Sequence, residues 1–190
     1  MEEKGGKVVS SAQLANKCMV NSAQVRKDLA YFGEFGIRGV GYYVKDLLSD
    51  IKRILGSNKE WRMALIGLGN LGSALLSYKD FLKQNYKIVA VFDIDPPKVI
   101  GNVSEKLGKP VEVLHINRIK EVARERKIEI ALIATPPSEA QSVANLLVEA
   151  EIRGILNFAP AQITVPNGYV VRDVFFTNIL DNLAYLLSSQ

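Results

Sequence analysis

Chemistry-bearing residues are scarce in this chain: its 190 residues include one cysteine, one histidine and one tryptophan. Cys18 alone closes no disulfide within the chain, and a solitary cysteine reads as a small core residue rather than a nucleophile. His115, at the end of the apolar run VEVLHI, reads as a structural strand-end residue. No metal site is read anywhere. Long apolar runs are lacking too, since none approaches the roughly 18 residues that span a bilayer. The opening MEEKGGKVVSS is acidic, then basic, and does not read as a secretory signal. A soluble cytoplasmic protein with no membrane partner is the expectation.

Apolar material is ample, at 48% of the chain, enough for one ordinary core and a small second unit. Residues 1–59 carry 10 Lys and Arg against 6 Asp and Glu, whereas residues 60–190 carry 14 of each. The whole net charge of +4 therefore sits in the first third. Such asymmetry suits an N-terminal unit that meets a polyanion, with a solvated basic face as the bland alternative.

The first third reads helical with a glycine-rich tail, and GSNKE, Gly56 to Glu60, reads as a boundary. Beyond it, RMALIG, KIVAVFD, VEVLHI, EIALIAT and GILNFA read as strands, with helices near Leu71–Lys83, Ile119–Arg126 and Glu139–Glu151. Near-continuous Val, Ile, Leu and Ala runs suit strands buried on both faces of a parallel sheet flanked by helices. DVFFTNILDNLAYLLSSQ reads as an amphipathic helix whose apolar stripe is Val174, Ile179, Leu183 and Leu186/Leu187. The predicted class is α/β, with an N-terminal unit over 1–59, a Rossmann-like parallel sheet domain over 60–173 and a C-terminal helix over 174–190.

ALIGLGNLGSALL, Ala64 to Leu76, runs from a strand through a glycine turn into a helix. In Gly67-Leu68-Gly69-Asn70-Leu71-Gly72 the first glycine permits the tight turn and the second admits a pyrophosphate against the backbone. The third lets helix and strand pack closely, and the phosphates meet the positive end of the helix dipole. Asp93 closes KIVAVFD about 20 residues on, where a carboxylate bonds a ribose diol and repels a 2′-phosphate. Together they point to NAD(H) rather than NADP(H). No group for proton transfer accompanies them: the chain has no Tyr-x-x-x-Lys pair and no room for a separate substrate domain. No catalytic residue is assigned.

SSAQLANKCMVNSAQVRKDLAYFG reads as two short helices joined by a tight turn. Ser10 with Gln13, and Asn21 with Gln24, have capping-box spacing. Leu14, Ala15 and Cys18 give the first helix an apolar face, and Val25, Leu29 and Phe32 give the second its own. In a helix-turn-helix the start of the second helix, here Ser22, Ala23, Gln24, Arg26 and Lys27, meets bases and phosphates in the major groove. GEFGIRGVGYYV then places Arg38 and Gly39 in a glycine-rich loop suited to a wing entering the minor groove. A plain αα-hairpin with a polar face is the alternative.

QVRKDLAYFGEFGIRGVGY, GLGNLGSALLSY, FDIDPPKVIG and GILNFAP closely resemble the Rex family of bacterial redox-sensing transcriptional repressors, from about Val9 to Leu186. The resemblance implies a homodimer on a palindromic operator, released when NADH binds, with NAD+ competing without driving release. It implies a winged helix-turn-helix and a C-terminal helix swapped between subunits. By the same resemblance Gly67 to Gly72 would hold the pyrophosphate and Asp93 the adenosine ribose, with Thr135 and Pro136 near the dinucleotide. Asn157, Phe158, Ala159 and Pro160 would form the loop beside the nicotinamide, which Phe176 of the other subunit would cover.

Two departures accompany the match. The chain begins near the end of the family's first helix, which reads as a shortened N-terminus, and Phe175 stands where the family often has an Asp in a polar relay with a Tyr, matched here by Tyr78. A DNA-binding paralogue without the NADH response, and a small NAD-dependent oxidoreductase, are the competing expectations.

Overall fold

The computed structural model describes residues 7–78, 85–97 and 112–189. The chain divides into two units, Met1–Lys59 and Glu60–Gln190. In the first, Ser10 Oγ accepts from Gln13 N at 3.2 Å while Gln13 Oε1 accepts from Ser10 N at 2.9 Å, and this complete capping box starts α1 (Ser11–Cys18). Asn21 Oδ1 accepts from Gln24 N at 2.8 Å and starts α2 (Ser22–Phe32). The reciprocal half of the second box does not form, because Gln24 Nε2 donates instead to Asp28, one turn on.

Small Ala15 on α1 and Val25 on α2 are buried where the two helices pack. Two expected members of the apolar faces lie outside. Cys18 is exposed, and Phe32 is 55% exposed, edge-on to Tyr31 with ring centres 5.2 Å apart. Both close the last turns of their helices, beyond the crossing. Val8–Val9 (β1) pairs antiparallel with Tyr42–Tyr43 (β2), and α3 (Val44–Ile54) follows directly with Leu47 buried.

The second unit is built on β3 (Trp61–Ile66), β4 (Tyr86–Asp93), β5 (Leu114–His115), β6 (Ile130–Ile133), β7 (Gly154–Asn157) and β8 (Val170–Asp173). All pair in parallel, in the order β5-β4-β3-β6-β7-β8. Alternate strand residues divide the core between two faces. Met63, Leu65 and Leu132 pack with Leu75 and Leu76 of α4 (Asn70–Leu76). Ala64, Ile66, Phe92 and Ile133 pack under α5 (Ile119–Glu125) and α6 (Ala140–Glu149). Ala140 and Ala144 present only methyl groups, so α6 lies close on the sheet, and Leu147 is fully buried beside them; truncating such a leucine costs about 2–5 kcal/mol. The strand order reverses beside β3, whose neighbours are β4 and β6, and there the carboxyl ends of the strands open a crevice.

β8 was not among the expected strands. VVRD is an edge strand with Val170 and Arg172 exposed, so it carries no continuous apolar run. The final helix, α7, spans Phe176–Ser188 and is entered through Phe175. Val174, expected on its stripe, precedes it and donates its N–H to Asn157 O at 2.8 Å. No residue of α7 is buried: Ile179, Leu180, Leu183, Leu186 and Leu187 are all more than half exposed. The end of the helix expected to Lys83, and the PKVIG end of the FDIDPPKVIG motif from residue 98 on, lie outside the described residues. Among the described residues no helix is long and apolar enough to cross a membrane.

Candidate functional site

β3 delivers the chain to the crevice, and the glycine turn carries it into α4. Gly67 N donates to Phe92 O at 2.8 Å, and Gly67 takes φ +90°, where a Cβ would meet Ala134 O at 2.6 Å. Only glycine fits there without strain. A Cβ on Gly72 would fall on the Gly67 carbonyl oxygen, so the third glycine lets the first turn of α4 close over the loop. Gly69 differs: its φ is −72° and a Cβ there would meet nothing within 4 Å. The turn is thus closed at Gly67 and Gly72 and open at Gly69, where a ligand can reach the backbone. The first N–H groups of α4 have no helical carbonyl to serve.

Asp93, at the end of β4, faces this turn. Its Oδ2 accepts from Leu68 N at 2.8 Å and its Oδ1 from Asp95 N at 3.0 Å. Two backbone donors hold the carboxylate in place and leave it further lone pairs for hydroxyl donors. A cavity of about 530 Å³ brings together Gly67, Leu68, Gly69, Asp93, Thr135 and Pro136. Thr135 Oγ1 is buried on this wall without a hydrogen-bond partner, an arrangement costing about 1–3 kcal/mol until a ligand or water supplies one. Open backbone, a fixed carboxylate and an orphaned hydroxyl suit a phosphorylated ribonucleoside.

The cavity also includes Ile94, Asp95, Ile116, Glu139, Ser142, Val143 and Leu146, none of which was singled out from the sequence. Only the i, i+3, i+4, i+7 spacing from Glu139 to Leu146 hinted at one helix face. Asn70, Leu71 and Gly72 belong to α4 itself and do not line the cavity. The 157–160 loop and Phe176 also lie off its wall. Asn157, expected beside a ligand, is fully buried: its Nδ2 donates to Ala161 O and to Asp173 Oδ1, both at 2.8 Å, and its Oδ1 accepts from Ala159 N at 3.0 Å. It shapes the loop from within. Ala159 is buried, Phe158 half-buried and Pro160 exposed, while Phe176 is 61% exposed.

In the first unit, Ala23, Gln24, Arg26 and Lys27 are exposed on the first turns of α2, and Ser22 is half-buried. Arg26 Nη1 donates to Ser11 Oγ at 3.0 Å and ties α2 to α1, whereas Lys27 has no partner among the described residues. After α2, Ile37 and Gly41 exchange backbone hydrogen bonds of 2.8 and 2.9 Å, and Val40 N donates to Ile37 O at 3.0 Å. Gly39, at φ +82°, occupies the third position of that turn, where type II geometry needs a positive φ. The turn holds Arg38 out at its tip, exposed and unpaired among the described residues.

Fold and site define a class: a Rossmann-like dinucleotide fold joined to a winged helix-turn-helix. Residues 58–161 match the family model described as a CoA binding domain, and residues 1–30 match that of a DNA-binding protein N-terminus. The redox-sensing transcriptional repressor Rex of Syntrophobacter fumaroxidans is 53% identical over 181 residues, covering 95% of this chain and 84% of its own. The crystal structure of RSP in complex with β-NAD+ and operator DNA is 34% identical, with a TM-score of 0.83, and covers 96% of this chain and 82% of its own. RSP in complex with β-NADH is 32% identical with a TM-score of 0.74, covering 96% and 83%. The chain belongs to the Rex family of redox-sensing transcriptional repressors, with a CoA binding domain over residues 58–161.

Proposed function

We propose that this chain is a repressor that binds palindromic operator DNA as a homodimer through residues 1–59 and NADH or NAD+ through residues 60–173, so that transcription follows the NADH/NAD+ ratio. The observation that carries the reading is the glycine turn, open only at Gly69 and facing the fixed Asp93 carboxylate. It has this geometry in a chain whose relatives are redox-sensing repressors. Gly67 to Gly72 receive the pyrophosphate and Asp93 the adenosine ribose, and Thr135 and Pro136 lie near the dinucleotide. Phe158, Ala159 and Pro160 lie beside the nicotinamide on a loop that Asn157 holds in place. Phe176 of a second copy covers the ring, with residues 174–190 swapped between subunits; the exposed apolar stripe of α7 supports this. Ser22, Ala23, Gln24, Arg26 and Lys27 face the major groove, and Arg38 and Gly39 the minor groove.

The protein acts by binding rather than by catalysis, in the cytoplasm where its operator is. An apolar nicotinamide pocket favours the neutral reduced ring over the cationic oxidised one, because the charge must be stripped of water to enter. A ligand shifts the dimer between DNA-bound and released states only by its difference in affinity for the two. The test is fluorescence anisotropy of a labelled operator duplex, recovered by selection from random duplexes, with protein fixed and each nucleotide titrated. Release by NADH but not by NAD+ supports the reading. DNA binding that ignores both nucleotides sinks the redox response, and turnover of NADH against carbonyl substrates sinks the claim that nothing is catalysed.

A further inference from the structure

Besides the glycine turn and Asp93, the cavity is lined by apolar side chains from two parts of the fold. Ile94 and Ile116 follow β4 and β5; Val143 and Leu146 come from α6. Such an apolar lining suits a flat, weakly polar ring. The polar side chains on its α6 wall are Glu139 and Ser142. Glu139 is in helical register, since Val143 N donates to Glu139 O at 3.0 Å, so Glu139, Ser142, Val143 and Leu146 share one face. Ser138 Oγ donates to Glu139 Oε1 at 3.2 Å, and Oε2 has no partner among the described residues. The Ser142 hydroxyl likewise has no partner there.

We infer that Glu139 reads the base of the bound dinucleotide, its carboxylate accepting a hydrogen bond from the exocyclic amine of adenine. This rests on the nucleotide reading above, in which Asp93 marks the adenosine half. An ionised carboxylate is an acceptor only. It satisfies a 6-amino group and meets a 6-oxo group acceptor to acceptor, so hypoxanthine and guanine are rejected at the same position. The Ser142 hydroxyl, donor and acceptor at once, tolerates either ring nitrogen state and adds affinity without discrimination.

The probe is reduced nicotinamide hypoxanthine dinucleotide, which differs from NADH by a 6-oxo group in place of the 6-amino group and by the N1 proton that accompanies it. Both are titrated into the full chain by nicotinamide fluorescence. The wild type binds NADH tighter by about tenfold or more, the worth of one hydrogen bond to a charged group. Glu139→Gln, whose amide can turn to donate or accept, brings the ratio within about twofold. Glu139→Ala removes the acceptor and reads the same ratio should the Gln variant fail to fold, which thermal melting reports. Equal wild-type affinity, or a ratio kept in both variants, overturns the inference while leaving NADH binding intact. Failure of the wild type to bind either dinucleotide overturns the nucleotide reading and this inference with it.

Discussion

The three glycines of the turn make separable demands, and alanine at each tests them. At Gly72 the added methyl meets the backbone carbonyl of Gly67, with Gly67 C at 3.0 Å, so no flexible side chain can move aside. Forced overpacking of this kind costs about 3 kcal/mol. Alanine inside a helix returns about 1 kcal/mol relative to glycine. The net loss is about 2 kcal/mol, or roughly 4–8 °C in Tm for a unit of this size. At Gly69 the methyl enters open space at φ −72°, so the fold is barely affected. Alanine is a poorer N-cap than glycine, but it also lowers the unfolded chain's entropy, and the two nearly cancel within about 0.5 kcal/mol. On the proposed reading that same methyl meets the pyrophosphate, and a steric penalty of about 1–3 kcal/mol weakens NADH by roughly five- to 150-fold. Circular dichroism melting and NADH fluorescence titration on both variants decide the matter. Gly72→Ala should lose stability, and Gly69→Ala should lose nucleotide at unchanged Tm. A Gly69→Ala protein that binds NADH like the wild type, or a Gly72→Ala protein that melts like it, would refute the division of roles.

Asp93→Ala should weaken NADH and narrow its advantage over NADPH; calorimetry showing an unchanged preference would remove Asp93 from the ribose site. Arg38→Ala should weaken operator binding and flatten its salt dependence by about one unit of slope while sparing NADH affinity. Equal loss of both would point to unfolding instead. Asn157→Ala leaves the buried Ala159 N–H without its acceptor and should cost about 1–3 kcal/mol, visible as a lower Tm. A melt within a degree of the wild type would show that the loop holds itself.

The elements legible from sequence were those whose signal is local. The Ser10–Gln13 box, the glycine turn and the buried strands β3, β4, β6 and β7 each announce themselves in a few adjacent residues. What escaped depended on distant partners. VVRD became a strand because Gly154 to Asn157 offers it an edge, which nothing in VVRD states. Phe32 matched a helical period but sits past the crossing, so periodicity alone misplaced it. Asn157 is expected only as part of the loop that the resemblance places beside a nicotinamide; that its amide bonds Asp173 and Ala161 from within is a tertiary contact no local pattern states. Glu139 and Ser142 went unnoticed because a polar face at a helix start usually faces solvent.

The bare stripe of α7 bears on how this protein behaves when diluted. Five large aliphatic side chains on thirteen residues are left in water by a single copy. A helix so composed derives its stability from what it packs against rather than from its own propensity. If a second copy supplies that surface, folding and assembly become one equilibrium, and melting temperature rises with protein concentration. Dilution then works as a denaturant, and the cell sets the repressor's integrity through the rate at which it makes the chain.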